Sequence, residues 1–191
     1  MHIEYEARIL EIDKKNLEQK LEKLGAKKIA DYNYKRRVYD FNPRRDSKWI
    51  RLRTDGTDTT LTIKEYVKDS IDGTKEMEIK VSDFEETNNM LNELGYKSHT
   101  YQESKRTRYQ LNGTTIDIDT WPYIPTYVEI EGKGNGDVEK MIDLLELNKN
   151  KVTTLDVQSV FKKFYKIDVK KMPIVKFGEE LDKEYMINKE E

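Results

Sequence analysis

The 191-residue chain contains no cysteine, which excludes disulfide cross-links, thiolate zinc sites and a cysteine nucleophile. Histidine is scarce as well: His2 and His99 are the only two, and they are too far apart to form a metal-binding spacing such as H-E-x-x-H. No apolar run approaches a membrane span, and the N-terminus enters a strand-like segment without the apolar stretch of a signal peptide. A soluble, cytoplasmic protein with no membrane partner is expected. Net charge is small too, because 35 basic residues nearly balance 37 acidic ones and leave -2. That balance argues against a dedicated nucleic-acid partner, although it leaves room for a local basic patch.

What the chain does have is charge. Charged residues make up 38% of it and hydrophobic ones 36%, yet strand and helix patterning runs through most of its length. One domain with a sizeable core is expected at this size, so many charges need a structural or functional home. Met1 to Leu10 alternates, with Ile3, Tyr5, Ala7 and Ile9 on one face and Glu4, Glu6 and Arg8 on the other. Asp13 can cap the helix that follows, Leu17, Leu21 and Leu24 line its buried face, and Gly25 stops it.

This plan recurs. Glu4 to Arg8, the helix ending Leu24-Gly25 and the basic stretch Lys35 to Tyr39 reappear as Glu76 to Lys80, a helix ending Leu94-Gly95, and Lys105 to Tyr109. The offsets are 72, 70 and 70 residues, which suggests two related halves facing each other in a sheet closed on itself. Trp49 to Arg53 and Thr59 to Glu65 read as a hairpin. Arg106 to Leu111 and Thr114 to Thr120 read as another, turning at Asn112-Gly113. Pro122 and Pro125 interrupt the chain before a last strand, Tyr127 to Gly132. Beyond Gly136 the spacing of Val138, Met141, Ile142 and Leu145 is helical. Thr154 can cap a further helix carrying Leu155, Val160, Phe161 and Phe164. The division expected is one domain over 1–169 and a charged tail over 170–191, which either packs over an opening or stays mobile.

The charges are sorted by sign. Glu4 and Glu6 share a face, as do Glu76 and Glu78, Asp117 and Asp119, and Glu129 and Glu131; Arg51 shares a face with Arg53, Arg106 with Arg108, and Lys64 stands opposite Ile63. Any one such row could be the solvated side of a sheet. Taken together they could not easily be, because like charges one pleat apart repel and gain nothing from water. If the apolar faces pack outward against three or four helices, the charged faces line a barrel interior that needs ion pairs, water and a charged ligand. Arginine and lysine rows suit phosphate oxygens. Carboxylate pairs without histidine or cysteine suit a hard cation such as Mg²⁺ or Mn²⁺.

In order along the chain, Glu4-x-Glu6-x-Arg8, Arg51-x-Arg53, Lys64, Glu76-x-Glu78, Arg106, Asp119 and Glu129-x-Glu131 resemble the signature of the CYTH, or triphosphate tunnel metalloenzyme, superfamily. The resemblance runs from about residue 1 to 165. It implies an α+β fold: a closed eight-stranded antiparallel β-barrel with helices outside. It also implies Glu4, Glu6, Asp119, Glu129 and Glu131 as metal ligands, and Arg8, Arg51, Arg53, Lys64, Glu76, Glu78, Arg106 and Arg108 on the substrate side, with Glu4, Glu6, Arg8 and Asp119 nearest the chemistry. Two positions depart from the pattern. The signature lysine is Arg8 here. Where the family often has a lysine two residues before its arginine, this chain has Ser104, with Lys105 on the opposite face; either Arg108 takes over the phosphate contact or a strand kink brings Lys105 inward.

The spacing from Asp119 to Glu129 and the two C-terminal helices look most like the class IV adenylate cyclase branch, whereas short bacterial tripolyphosphatases typically open with an EIERK motif. The resemblance therefore implies conversion of ATP to cyclic AMP and pyrophosphate. The alternatives are an inorganic, thiamine or nucleoside triphosphatase using the same tunnel, or a non-catalytic polyphosphate-binding module. The expected partner is ATP or another triphosphate, and a homodimer is left open.

Overall fold

Period-two alternation of apolar and charged residues builds strands with one face of each kind, and the computed structural model sets these strands in a single sheet. It describes residues 1–187. In chain order the elements are β1 (His2–Ile9), α1 (Lys14–Lys23), β2 (Lys27–Asp40), β3 (Lys48–Thr54), β4 (Thr59–Tyr66), β5 (Thr74–Val81), α2 (Phe84–Glu93), β6 (Ser98–Leu111), β7 (Thr114–Trp121), β8 (Ile124–Gly132), α3 (Asn135–Leu144), β9 (Val152–Thr153), α4 (Val157–Tyr165) and β10 (Ile174–Val175). The long strands follow one another as β6-β2-β3-β4-β5-β1-β8-β7, and β7 pairs back onto β6. Every one of these pairings is antiparallel. The result is the expected closed eight-stranded barrel with helices outside. β9 and β10 are short additions to β1 and β6.

The sequence repeat is a structural one. Asp13 and Asp83 cap α1 and α2 by accepting from the backbone N–H groups of Asn16 and Glu86. Gly25 (φ 75°) and Gly95 (φ 88°) then turn the chain out of each helix, in a left-handed conformation that glycine adopts without strain. The runs β1-α1-β2-β3-β4 and β5-α2-β6-β7-β8 match element for element. Exchanging β2 with β6, β3 with β7, β4 with β8 and β1 with β5 maps the strand order onto itself. The barrel is thus two related halves joined along β2 and β6.

Two apolar clusters cover the outside, and a third, whose Trp121 and Tyr127 also line the interior, packs under α4 and the segment beyond it. Ala7, Ile9, Ile116, Ile118, Val128 and Ile130 pack under α1 and α3; Tyr39, Ile50 and Leu52 pack under α2; Trp121, Ile124 and Tyr127 pack with Phe161 of α4 and with Val169, Met172 and Val175 beyond it. The outer face of β5 is the exception to full coverage, since Met77 and Ile79 are 46% and 56% exposed.

Several expectations need correction. Asp156, not Thr154, caps α4, accepting from the N–H groups of Gln158 and Ser159; Leu155 precedes the helix, and the Thr154 hydroxyl bonds Asp69 instead. Pro125 does not end the chain interruption but lies inside β8, exposed, after a tight turn in which Tyr123 takes the left-handed conformation (φ 69°). β2 and β6 are also far longer than Lys35–Tyr39 and Lys105–Tyr109. They are held over this length mainly by each other. Of the tail expected over 170–191, residues 188–191 lie outside the described ones; before them β10 runs parallel to the start of β6, at Tyr101 and Gln102, where β7 no longer reaches.

Candidate functional site: a tunnel with oppositely charged walls

The inward faces of the strands enclose a cavity of about 270 Å³. Its walls divide by sign in a way the strand order makes plain. The neighbours β6, β2, β3 and β4 contribute Arg106 and Arg108, Arg36, Arg51 and Arg53, and Lys64. The neighbours β5, β1, β8 and β7 contribute Glu76 and Glu78, Glu4 and Glu6, Glu129 and Glu131, and Asp117 and Asp119. Half the barrel is a basic wall and half an acidic one, with Arg8 of β1 the single cation on the acidic side among the described residues that line the tunnel. All thirteen candidate residues chosen from the sequence meet here.

At the seam between β6 and β7, Arg106 stands opposite Asp119 and Arg108 opposite Asp117. Arg106 donates to both Asp119 oxygens at 2.7 and 2.5 Å, to Asp117 at 2.6 Å and to Glu129 at 3.2 Å. Arg108 donates to Asp117 at 2.8 and 2.6 Å. At the other seam Lys64 reaches Glu4 at 3.0 Å and Glu76 at 3.1 Å. Arg51 lies 3.5 and 3.3 Å from Glu76 and Glu78. Arg8 pairs with Glu129 at 2.6 Å and Glu6 at 3.1 Å, and also donates to the carbonyl of Leu155 before α4. Arg53 is held least: its only carboxylate neighbour among the described residues is Glu78 at 3.8 Å, and its guanidinium lies 4.5 Å from the centre of the Tyr34 ring.

Protonation follows the pairing. Burial opposes the charge of Glu129, but Arg8, Arg106, Lys64 and Arg51 outweigh it and hold the carboxyl well below its usual range. Burial also works against Arg8 and Arg106, whose carboxylate partners raise both above the ordinary arginine value. The surplus negative charge falls elsewhere. Burial, joined by Glu6 and Glu76, lifts Glu4 to about 7 in spite of Lys64. Burial, joined by Glu129 and Glu6, also raises Glu131. On the basic wall, burial with Arg51 and Arg106 lowers Arg53 to about 10. Both walls therefore carry uncompensated charge.

These observations fit a divalent cation on the acidic wall. The donor set is all carboxylate oxygen, as a hard cation prefers, and Glu131, beside Glu129 and Glu6, has no cation within ion-pair distance among the described residues. Among the described residues no three His, Cys, Asp or Glu side chains are already arranged to hold a metal ion. Asp119 is engaged by Arg106, and Glu129 by Arg8 and Arg106.

At the departure in β6 no strand kink turns Lys105 inward. Lys105 points outward, its ammonium 4.9 Å from the Phe177 ring centre, and Arg108 lines the tunnel. Ser104 is buried and accepts from Arg36 at 2.5 Å. Arg36, Gln102, Trp121 and Tyr127 line the tunnel without having been selected from the sequence. For Arg36 a signal existed: the repeat offset of 70 places it against Arg106.

A closed barrel with one basic and one acidic interior wall defines an ion-binding tunnel that can take an anion and a cation side by side. The chain belongs to the CYTH family: the CYTH domain model matches residues 2–165, and family members are typically triphosphate-processing enzymes. No curated protein is significantly similar to it in sequence. Among solved structures, the PH1012 protein of Pyrococcus horikoshii OT3 superposes with a TM-score of 0.70 at 21% identity, over 78% of this chain and 94% of that one. A candidate adenylate cyclase of Vibrio parahaemolyticus gives 0.71 at 10% identity, over 84% and 98%. A candidate adenylyl cyclase of Hippeastrum, reported with a dominant triphosphatase activity, gives 0.57 at 13% identity, over 85% and 96%. At these identities the likeness is one of fold. No helix among the described residues is long and apolar enough to cross a membrane.

Proposed function

We propose that the protein is a metal-dependent enzyme acting on a triphosphate, and specifically an adenylate cyclase of the class IV type that converts ATP to cyclic AMP and pyrophosphate. The observation that carries this reading is the division of the tunnel into a four-strand basic wall and a four-strand acidic wall. Arg51, Arg53, Lys64 and Arg106 would hold the phosphates, with Arg8 and Arg108 beside them, so that positioning and fixed positive charge lower the barrier. Glu4, Glu6, Asp119, Glu129 and Glu131 would hold Mg²⁺ or Mn²⁺. Bound there, the cation would activate the attacking hydroxyl and offset charge on the phosphates. Glu76 and Glu78 orient Lys64 and Arg51 toward the ligand.

The second reading is a triphosphatase, in which water rather than the ribose 3′-hydroxyl attacks; it is favoured by the triphosphatase activity reported for the Hippeastrum neighbour. The two separate on products. Pure protein is incubated with ATP and Mn²⁺, and in parallel with tripolyphosphate and thiamine triphosphate. Cyclic AMP with pyrophosphate is the expected result. ADP and phosphate, or turnover of tripolyphosphate alone, would replace the cyclase with the triphosphatase, and no turnover of any of the three would remove both.

A further inference from the structure

The two halves of the barrel place Arg36 on β2 where they place Arg106 on β6, but give them opposite surroundings. Across from Arg106 on β7 stands Asp119, and Asp117 and Glu129 complete its shell of carboxylates. Across from Arg36 on β3 stands Arg53. Like charges paired across two strands destabilise a sheet, and here the second cation is buried as well: Arg36 is 8% exposed. Among the described residues no carboxylate lies within ion-pair distance of it. Every other cation lining the tunnel has at least one.

What Arg36 does touch holds the guanidinium without neutralising it. Its Cζ lies 4.3 Å from the Trp121 ring centre and 6.0 Å from that of Tyr34. One terminal nitrogen donates to the Ser104 hydroxyl at 2.5 Å, and its Nε–H has no acceptor. Contact with an aromatic ring leaves the in-plane N–H edges free, which are the edges that grip an oxyanion. Burial, together with Arg53 and Arg51, pulls the group down to about 9, the direction expected of a cation that lacks its anion.

We infer that Arg36 is a phosphate-binding residue, and that Arg36 and Arg53 bind one phosphate group of the substrate between them from adjacent strands. The phosphate takes the place that carboxylates occupy around Arg106 in the other half. The inference rests on the triphosphate reading above and adds to it a residue and a place: the negative end of the ligand sits against β2 and β3, facing away from β8.

Tripolyphosphate is the probe, titrated calorimetrically into wild type, Arg36→Met and Arg36→Lys in the presence of Mg²⁺, with ligand-free melting recorded for each. Wild type is expected to bind. Arg36→Met is expected to weaken binding about ten-fold or more, the loss of a charge-assisted contact, while melting no lower than wild type, because it removes an unpaired buried cation and keeps an apolar stem against Trp121. Arg36→Lys is expected to fall between the two in affinity. Affinity of Arg36→Met within two-fold of wild type would overturn the inference and leave the triphosphate reading standing. Failure of wild type to bind would overturn both. If Arg36→Met proves too unstable to titrate, Arg36→Lys decides: weakening of about three-fold or more supports the role, and wild-type affinity refutes it.

Discussion

At the scale of single residues, side chains that look alike in the sequence separate by their partners. Glu129 and Glu131 lie two apart on one strand face, yet Glu129 is clasped by Arg8 and Arg106 while Glu131 has no ion pair among the described residues. Glu129→Gln strips two buried arginines of a partner and is predicted to cost on the order of 3 kcal/mol, seen as a lower ligand-free melting temperature. Glu131→Gln, which relieves repulsion from Glu129 and Glu6, is predicted to melt at or above wild type. Equal melting of the two variants would contradict the pairing. Arg53, weakly held by Glu78, is predicted to tolerate Arg53→Ala with little change in ligand-free melting while losing most of the stabilisation that tripolyphosphate confers; a large drop without ligand would make it a structural residue instead. Glu4 gives a pH signature. Burial, joined by Glu6 and Glu76, holds its carboxyl at about 7 in the fold, above the ordinary 4.5, so the unfolded chain releases this proton first. Ionising Glu4 in the fold is then a cost that grows as pH rises from about 4.5 to 7 and persists above. Glu4→Gln should flatten the fall in ligand-free stability over that window and melt higher at pH 8, as thermal melts at several pH values would show. None of these distinctions could be read from spacing, because alternation shows which face a carboxylate is on and not which guanidinium crosses the tunnel to meet it.

At the scale of elements, the sequence was most legible where apolar and charged residues alternate cleanly, as in β1, β3 and β4, and where both helices of the repeat end in Leu-Gly. It was least legible where strands are held by one partner and little core. The first part of β2, Lys27 to Tyr34, pairs only with the second part of β6, and the first part of β6, Ser98 to Ser104, pairs with the second part of β2 and briefly with β10, so polar residues on both faces hide the period. The cap of α4 was misplaced by two residues because Thr154 and Asp156 are both competent caps, and only the bond from Thr154 to Asp69 removes the first from contention. β10 shows what covers the unpaired start of β6. Val175 is fully buried there, and Val175→Ala is predicted to cost on the order of 1 to 2 kcal/mol, lowering the melting temperature by a few degrees with no change in tripolyphosphate affinity. Calorimetry and melting on the same sample test both halves of that statement.

At the scale of the whole molecule, a duplicated unit has become a barrel with unlike walls. The halves share topology and caps but differ in the sign they present: β3 and β4 carry arginine and lysine where β7 and β8 carry aspartate and glutamate. The sign rows were readable along the chain; their gathering into two contiguous walls was not, since it depends on a strand order that places β5 beside β1 and β6 beside β2. Ion pairs along the two seams satisfy part of the charge, and what remains, positive around Arg36 and Arg53 and negative around Glu4 and Glu131, is the charge that the proposed triphosphate and cation would balance. The most direct measurement is calorimetric titration of tripolyphosphate into the wild-type protein with and without Mn²⁺. Binding that is saturable at one ligand per chain, strengthened by Mn²⁺ and weakened by rising salt, is the predicted result. Absence of binding under both conditions, or binding that Mn²⁺ leaves unchanged, would contradict a tunnel built to hold a metal-bound triphosphate between its two walls.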